Sequence, residues 1–276
     1  MGICKICGEK AGWLRSYHKE CRQRYDAGKK LVDGMVIDAV RHGINRDVIE
    51  EKVSEFANTF HLDLVGVKPV LLSAWDKAVE DAMSDNLLSR EEEKRLMDMV
   101  HFFGSDSQEL AGRPAYHTLV KGAVIRDLCE GKMPTQVRID GPLPVVLQKG
   151  EQIIWVFKDT KYYETQTQTT YVGGSQSINF RIMKGVYYRV GAFRGNPVQT
   201  TSLVHVDTGL FVVTNKHLTF VGTQKSVRLK HEKIISLTPY SDGVGLCRDA
   251  VKTKPQIFVT NDGWFTYNVI ANAMLV

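Results

Sequence analysis

Four residues near the start of the chain form two evenly spaced pairs, and this pattern constrains the fold more than any other feature. Two residues separate Cys4 from Cys7, two separate His18 from Cys21, and ten lie between the pairs. A Cys-x-x-Cys turn followed by glycine directs two thiolates at one ion, and ligands at i and i+3 of a helix share a face. We therefore predict a closed tetrahedral site that holds a structural Zn²⁺ ion through Cys4, Cys7, His18 and Cys21.

Two other interpretations of this pattern are weaker. A redox Cys-x-x-Cys normally lies at a strand-to-helix junction inside a thioredoxin-like βαβ unit, and no such pattern surrounds Cys4. A catalytic zinc ion needs an open coordination position, which four protein ligands do not leave. Cys129 and Cys247 stand alone in the sequence and are expected to be small buried side chains.

The residues around the two pairs predict the local structure. Residues 9–17 contain Gly12, Trp13, Leu14 and Tyr17, which suit a short hairpin that folds back over the ion. A helix is expected to begin near His18, so that its first turn supplies the last two ligands. This order resembles a treble-clef zinc finger, and the resemblance implies a small domain over residues 1–27 that depends on its metal to fold.

The positive charge of the chain is concentrated in the same segment. The chain of 276 residues carries a formal charge of +5, and residues 1–30 contain eight basic and three acidic side chains, so the remainder is neutral overall. Three thiolates and a neutral imidazole around a divalent ion carry about −1, which leaves the finger at about +4. This surplus favours a phosphate-bearing partner, with Arg15, Arg22 and Arg24 as candidate contacts. The alternative is a solvated face that keeps a small finger in solution.

Apolar residues at three- and four-residue spacing predict a helical domain over residues 28–132. Asn45 is the expected N-cap of the second helix, and Ser89 begins a capping box ahead of a later one. The last helix is expected over about 107–130, which makes five helices in a bundle. The segment Ser84–Leu96 resembles the turn between helices in TerB-like tellurite-resistance domains.

Alternating apolar residues predict an antiparallel β domain over residues 143–276. Asn261 or Asp262 is expected to cap a C-terminal helix, which makes the domain a small, strongly bent barrel or sandwich plugged at one end. The segment Gly209–Phe220, with the strand after it, resembles the core hairpin of GRAM and bacterial pleckstrin-homology-like (PH-like) domains. The resemblance is specific over these strands and looser over the rest of the domain, and it implies docking on a membrane surface or on another protein.

An insertion relative to that family lies at residues 158–200 and interleaves aromatic with basic residues. Lys184, Arg189 and Arg194 are its candidate contacts to a phosphate headgroup, a single-stranded nucleic acid or a peptide. The alternative is a long hairpin whose aromatic side chains pair across the strands while the cations face solvent.

No Ser/His/Asp, Cys/His, paired-carboxylate or phosphate-loop pattern rises above background. We therefore predict no catalytic residue, no enzyme activity and no small-molecule substrate. With 43% hydrophobic and 24% charged residues, the composition is that of a globular chain. The lack of a signal sequence or long apolar run predicts a cytoplasmic protein, with peripheral association with a membrane as the exception left open.

These features together predict an α+β multidomain protein that consists of a zinc finger, a helical bundle and a PH/GRAM-like bent β-barrel with a C-terminal helix. The expected function is that of a bacterial zinc-binding adaptor with a protein partner or an anionic membrane surface. Two alternatives remain: a nucleic-acid-binding protein that acts through the basic finger, and a subunit of a bacterial stress or phage-defence assembly.

Overall fold

A computed structural model describes residues 2–62, 66–137, 141, 143–170, 178–183, 186–190, 198–249 and 255–276. Within these residues the chain forms seven α-helices and eleven β-strands. The helices are α1 Lys19–His42, α2 Arg46–Phe60, α3 Val67–Ala82, α4 Arg90–Phe102, α5 Ser107–Leu110, α6 Pro114–Cys129 and α7 Gly263–Asn272. The strands are β1 Gly2–Ile3, β2 Lys10–Gly12, β3 Ile153–Thr170, β4 Ile178–Met183, β5 Val186–Val190, β6 Val198–Thr214, β7 His217–Gly222, β8 Ser226–Lys230, β9 Ile234–Pro239, β10 Gly243–Arg248 and β11 Gln256–Val259.

The contacts between residues group the chain into two compact units, Met1–Arg126 and Asp127–Val276. The first unit holds the metal-ligand segment and nearly all of the helical region, and the second holds the large sheet with α7. Helix α1 is continuous from Lys19 to His42, so the segment expected to form a finger shares a helix with the bundle. Within the described residues, no helix combines the length and the apolar character needed to cross a membrane.

The helices of the first unit share one apolar core, to which α1, α3 and α4 all contribute. Trp75 of α3 is fully buried, and its indole N–H donates to the carbonyl oxygen of Leu96 in α4 at 2.9 Å. An ion pair between Asp33 and Lys77 joins α1 to α3. Helix α1, whose N-terminal end carries two of the predicted metal ligands, is therefore anchored by the bundle behind it.

The last helix of the bundle is divided where one continuous helix was expected. Helix α5 ends at Leu110 and α6 begins at Pro114, so the described bundle has six helices and the expectation of five is wrong. Proline lacks an N–H donor and favours the first turn of a helix. Arg113, just before it, forms an ion pair with Asp76 of α3. The break follows from the proline, a signal that apolar periodicity alone does not carry.

The helix caps predicted from the sequence are confirmed. At the start of α2, the side chain of Asn45 accepts a hydrogen bond from the N–H of Asp47 at 3.0 Å. At the start of α4, the Ser89 hydroxyl accepts from the N–H of Glu92 at 3.1 Å, and the Glu92 carboxylate accepts from the N–H of Ser89 at 2.9 Å. These bonds satisfy backbone donors that have no partner inside the helix.

Replacing Ser89 with alanine is expected to lower the free energy of unfolding by about 1 kcal/mol, because a cap of α4 loses its acceptor. Urea unfolding followed by far-ultraviolet circular dichroism measures the loss. The matched control is Ser54→Ala, at an exposed position inside α2, where alanine favours the helix. An equal loss in both variants would contradict the capping role.

The second unit contains a seven-stranded antiparallel sheet in the order β8-β7-β6-β3-β11-β10-β9. Its outer strands, β8 and β9, do not pair with each other in the residues that the structure describes. The sheet is therefore open there, and the expected barrel is not closed. Strands β4 and β5 form a separate antiparallel hairpin.

The two central strands of the sheet are longer than the sequence pattern predicts. That pattern breaks at Asp159 and again at Thr208, yet β3 and β6 run through these positions as continuous strands. The register between the two strands shifts at several points, one of them at Asp159, whose φ is 53°. Bulges of this kind absorb a local irregularity without ending the pairing.

Helix α7 packs against the sheet through its apolar side chains. Phe265 and Ile270 are fully buried, and the Phe265 ring lies edge-on to that of Trp155, with 4.7 Å between ring centres. The Asp262 carboxylate accepts a hydrogen bond from the N–H of Phe265 at 3.1 Å, which confirms Asp262 as the cap of this helix.

Candidate metal centre

The Cys-x-x-Cys segment lies in the turn of a small hairpin. Strands β1 and β2 pair on either side of residues 4–9. The N–H of Cys4 donates to the carbonyl oxygen of Glu9 at 2.7 Å, and the N–H of Gly8 donates to that of Cys4 at 2.9 Å. Gly8 has a φ of 75°, a left-handed conformation that glycine adopts without strain. The hairpin therefore encloses the first ligand pair, whereas the sequence placed it after that pair.

The second ligand pair lies at the N-terminal end of α1. His18 is the N-cap residue and Cys21 is in the first turn, so their side chains face the same way. One ligand atom from each of Cys4, Cys7, His18 and Cys21 lies within 4.8 Å of all the others. The fold thus brings together the four residues predicted from their spacing, and the cluster can hold a metal ion.

The imidazole of His18 is held in one orientation. Its Nε2–H donates to the carbonyl oxygen of Lys10 at 3.0 Å, while its Nδ1 lies 3.3 Å from Sγ of Cys7 and 3.6 Å from Sγ of Cys21. A proton on Nε2 leaves the lone pair of Nδ1 directed at the thiols, which is the state a metal ligand requires. Nδ1 is therefore the atom that would bind a metal ion, and the carbonyl of Lys10 holds the ring from the other side.

The thiols of the cluster differ in how readily they ionise. Burial raises the pKa of Cys4, but hydrogen bonds from the backbone N–H groups of Cys7, His18 and Ile6 outweigh it and lower this pKa to about 6. Burial, together with the adjacent Cys7 and Cys4, raises the pKa of Cys21 to about 11. One thiol is thus ionised at neutral pH, while burial and the neighbouring cysteines keep that of Cys21 protonated. A divalent cation among them would remove this repulsion.

The other two cysteines do not belong to this cluster. The expectation that both are buried is wrong for Cys129, which is exposed at the end of α6, while Cys247 in β10 is half-buried. Both therefore serve as controls for substitutions of the cluster.

The predicted phosphate contacts of the finger are accessible. Arg15, Arg22 and Arg24 are all exposed. Arg22 lies 3.9 Å from Asp26, and its guanidinium lies 5.9 Å from the centre of the Tyr17 ring. Arg15 and Arg24 form no ion pair with any residue that the structure describes.

The predicted contacts of the insertion are less completely placed. Lys184 and Arg194 lie outside the described residues. Arg189 lies in β5 opposite Asn179 of β4, in a hairpin of which the structure describes the backbone.

A buried polar cluster in the second unit was missed by the sequence analysis. The Glu151 carboxylate accepts four hydrogen bonds, from the N–H of Gln148 at 2.8 Å, the Thr214 hydroxyl at 2.7 Å, Nδ1–H of His217 at 2.9 Å and the Arg228 guanidinium at 2.7 Å. Burial raises the pKa of Glu151, but these donors outweigh it and lower that pKa to about 2. The charged carboxylate, two residues before β3, therefore links this segment to side chains of β6, β7 and β8.

A cavity of about 390 Å³ adjoins this cluster and is lined by His217, His231, Lys216 and Lys230 among others. Nε2–H of His231 donates to the carbonyl oxygen of Thr214 at 2.7 Å. Burial lowers the pKa of His231, which keeps this ring neutral at physiological pH. The side-chain partners of Glu151 lie 63 to 77 residues further along the chain, so no local sequence motif predicts the cluster.

Comparisons with protein-family models, curated proteins and solved structures gave no match to this chain. The geometry of the Cys4, Cys7, His18 and Cys21 cluster and the charge around it are therefore the basis for assigning a function.

Proposed function

We propose that the chain is a non-enzymatic adaptor whose N-terminal segment is a zinc-stabilised finger. Three sulfur ligands and one imidazole nitrogen are the donor set of a structural zinc site. Four protein ligands complete a tetrahedron and leave no position for a water nucleophile. The ion then supplies folding energy, and function lies in the surface that it stabilises.

The single observation that carries the proposal is that most cations of the finger are unpaired. Of the eight basic side chains in residues 1–30, only Arg22 forms an ion pair with a residue that the structure describes. A tetrahedral site with three thiolates carries about −1 and so leaves most of this positive charge uncompensated. Unpaired cations on a rigid, metal-held segment favour an anionic macromolecule as the partner.

The β unit is the second docking element of the proposed adaptor. Its resemblance to PH-like domains rests on the β6–β7 hairpin and on the helix that follows the last strand, and both elements are present. A sheet edge or a loop of this unit would then engage a protein partner or an anionic membrane surface. Such docking would place the adaptor at a membrane without any spanning segment.

Charge reversal tests the anion-binding role of the finger. The variant Arg15→Glu, Arg22→Glu and Arg24→Glu is expected to elute from a heparin column at markedly lower salt than the wild type, because three exposed cations of the finger are replaced by carboxylates. Zinc content, measured by elemental analysis, checks that the finger of the variant remains folded.

The matched control changes net charge equally at another place. It reverses three exposed lysines of the second unit, Lys149, Lys158 and Lys161. This variant is expected to elute close to the wild type. Equal shifts in the two triple variants would mean that heparin senses total charge only, and the proposed role of the finger would be lost.

Nucleic acid is the second candidate partner, favoured by the position of Arg22 and Arg24 on the first turns of α1 beside the ligand Cys21. Gel-shift binding of an oligonucleotide should then weaken steeply with salt. Neutralising these two arginines should also reduce the salt dependence by roughly one to two phosphate contacts. Unchanged binding would exclude the finger as its source.

A further inference from the structure

Three large apolar side chains project from the finger into solvent. Ile3 is 64% exposed, Trp13 is 84% exposed and Leu14 is 89% exposed. Trp13 and Leu14 are consecutive residues that directly follow β2, and Ile3 lies on β1, the strand that pairs with β2. We call these three residues the finger tip. Single exposed apolar residues are ordinary on protein surfaces, but a group that includes tryptophan marks an interaction site.

The finger tip is held rigidly. The N–H of Lys5 donates to the carbonyl oxygen of Ser16 at 2.9 Å. This bond joins the loop that carries Trp13 and Leu14 to the Cys-x-x-Cys turn. Gly2 packs so closely on this loop that a Cβ atom there would lie 2.2 Å from the carbonyl oxygen of Arg15. Leu14 has a φ of 62°, a conformation that costs energy for a leucine. The fold therefore keeps an exposed leucine in a strained conformation.

Three exposed cations lie close to the finger tip along the chain or across the β1–β2 pairing. Lys10 lies opposite Ile3 in the β1–β2 pairing, and Arg15 directly follows Leu14. Lys5, Lys10 and Arg15 are exposed and form no ion pair with any described residue. An apolar point with a cationic rim is complementary to a surface that presents negative charge outside and hydrocarbon beneath it.

We propose that the finger tip inserts into the interfacial region of an anionic lipid bilayer while Lys5, Lys10 and Arg15 contact the lipid phosphates. This proposal rests on the proposed function of the finger as a binder of anionic surfaces and names the surface. Tryptophan favours the boundary between headgroups and acyl chains, and leucine and isoleucine favour the hydrocarbon. Each cation near an anionic leaflet adds an attraction that reaches about one Debye length.

A bilayer suits the finger tip better than nucleic acid does. Base stacking needs aromatic faces, and the leucine and isoleucine of the tip have none. Tyr17, the nearest other aromatic residue of the finger, is half-buried with the Arg22 guanidinium over its ring. A soft hydrocarbon layer accepts a convex apolar point without a preformed pocket, so shape and composition agree.

Sedimentation of the zinc-loaded full chain with phosphatidylcholine vesicles, with and without phosphatidylserine, tests the proposal. The wild type should bind only the anionic vesicles, and its Trp13 emission, isolated by subtracting a Trp13→Phe variant, should shift to the blue. The variants Trp13→Ala and Leu14→Ala should each weaken binding by about tenfold. The matched control is Leu87→Ala, which removes a leucine that is 69% exposed between α3 and α4 and should leave binding unchanged.

The outcomes separate this proposal from the function on which it rests. If Trp13→Ala and Leu14→Ala keep wild-type vesicle binding while the arginine variant still loses heparin retention, insertion is refuted and the anion-binding role stands. If Trp13→Ala weakens oligonucleotide binding, Leu14→Ala does not, and neither affects vesicles, the tip is a base-stacking site and the proposal is wrong. Wild-type zinc content in all variants shows that each effect arises at the tip.

Discussion

The Cys4→Ser variant is expected to lose most of its zinc, and residues 2–18 are expected to unfold with it. Three remaining ligands hold zinc far more weakly than four, because the lost thiolate supplies both charge and a fixed direction. Zinc bound to small fingers contributes on the order of 10 kcal/mol or more to folding.

The small core of the finger explains the size of this effect. Among the described residues of the finger, its buried apolar side chains are Cys4, Ile6 and Ala11, with Tyr17 and Cys21 among the partly buried residues packed on them. A core of this size cannot offset the conformational entropy of the segment. Helix α1 should survive loss of the metal, because its later turns are buried in the bundle core. Unfolding should therefore stop near the start of that helix.

Elemental analysis and amide hydrogen exchange check this prediction. The wild type should contain one zinc ion per chain, bound by the four-residue cluster. Amide exchange in the hairpin should be slow, and removal of zinc with a chelator should make it fast. Cys129→Ser is the matched control, since it removes an exposed cysteine outside the cluster and should leave zinc content and exchange unchanged. Full zinc content in the Cys4→Ser protein would refute the assignment of the ligands.

The parts of the fold that were predicted correctly depend on chemistry between residues close in sequence. The four ligands span only 18 positions from Cys4 to Cys21, so their spacing nearly determines their geometry. The caps at Asn45, Ser89 and Asp262 each involve a side chain and a backbone N–H two or three residues later. Such local interactions can be predicted from the sequence because they do not depend on how distant parts of the chain fold.

The parts that could not be predicted depend on pairing across the chain. Strands β3 and β6 were expected to break where their apolar alternation fails, but each continues because its partner supplies backbone hydrogen bonds on both sides of the irregularity. Whether the sheet closes into a barrel likewise depends on how its outermost strands are placed, which no local pattern reports. The exposure of the finger tip was also not predicted, because the sequence is equally consistent with Trp13 and Leu14 packing over the ion.

The Glu151→Gln variant is expected to lose about 3 kcal/mol of stability at neutral pH. Glutamine replaces one carboxylate oxygen with an N–H₂ group, so two of the four donors lose their acceptor inside a buried site. These are Thr214 and His217 at Oε1, or the Gln148 N–H and Arg228 at Oε2. Unfolding in urea at pH 7 measures the loss, reported by emission from Trp155 in the adjoining strand. The matched control is Glu232→Gln, an exposed carboxylate 3.5 Å from Lys230, which should change stability by less than about 0.5 kcal/mol.

The pH dependence of this difference identifies charge as its cause. The pKa of Glu151 is about 2 in the folded chain, below the value of about 4.3 for an exposed glutamate. Its ionisation therefore stabilises the fold fully above the unfolded-state pKa, and this contribution is lost as pH falls from about 5 toward 2. The gap between wild type and Glu151→Gln should narrow over that range, whereas Glu232→Gln should track the wild type throughout. A gap that stays constant down to pH 2 would mean that the shape of the Glu151 side chain, and not its buried negative charge, stabilises its contacts with β6, β7 and β8.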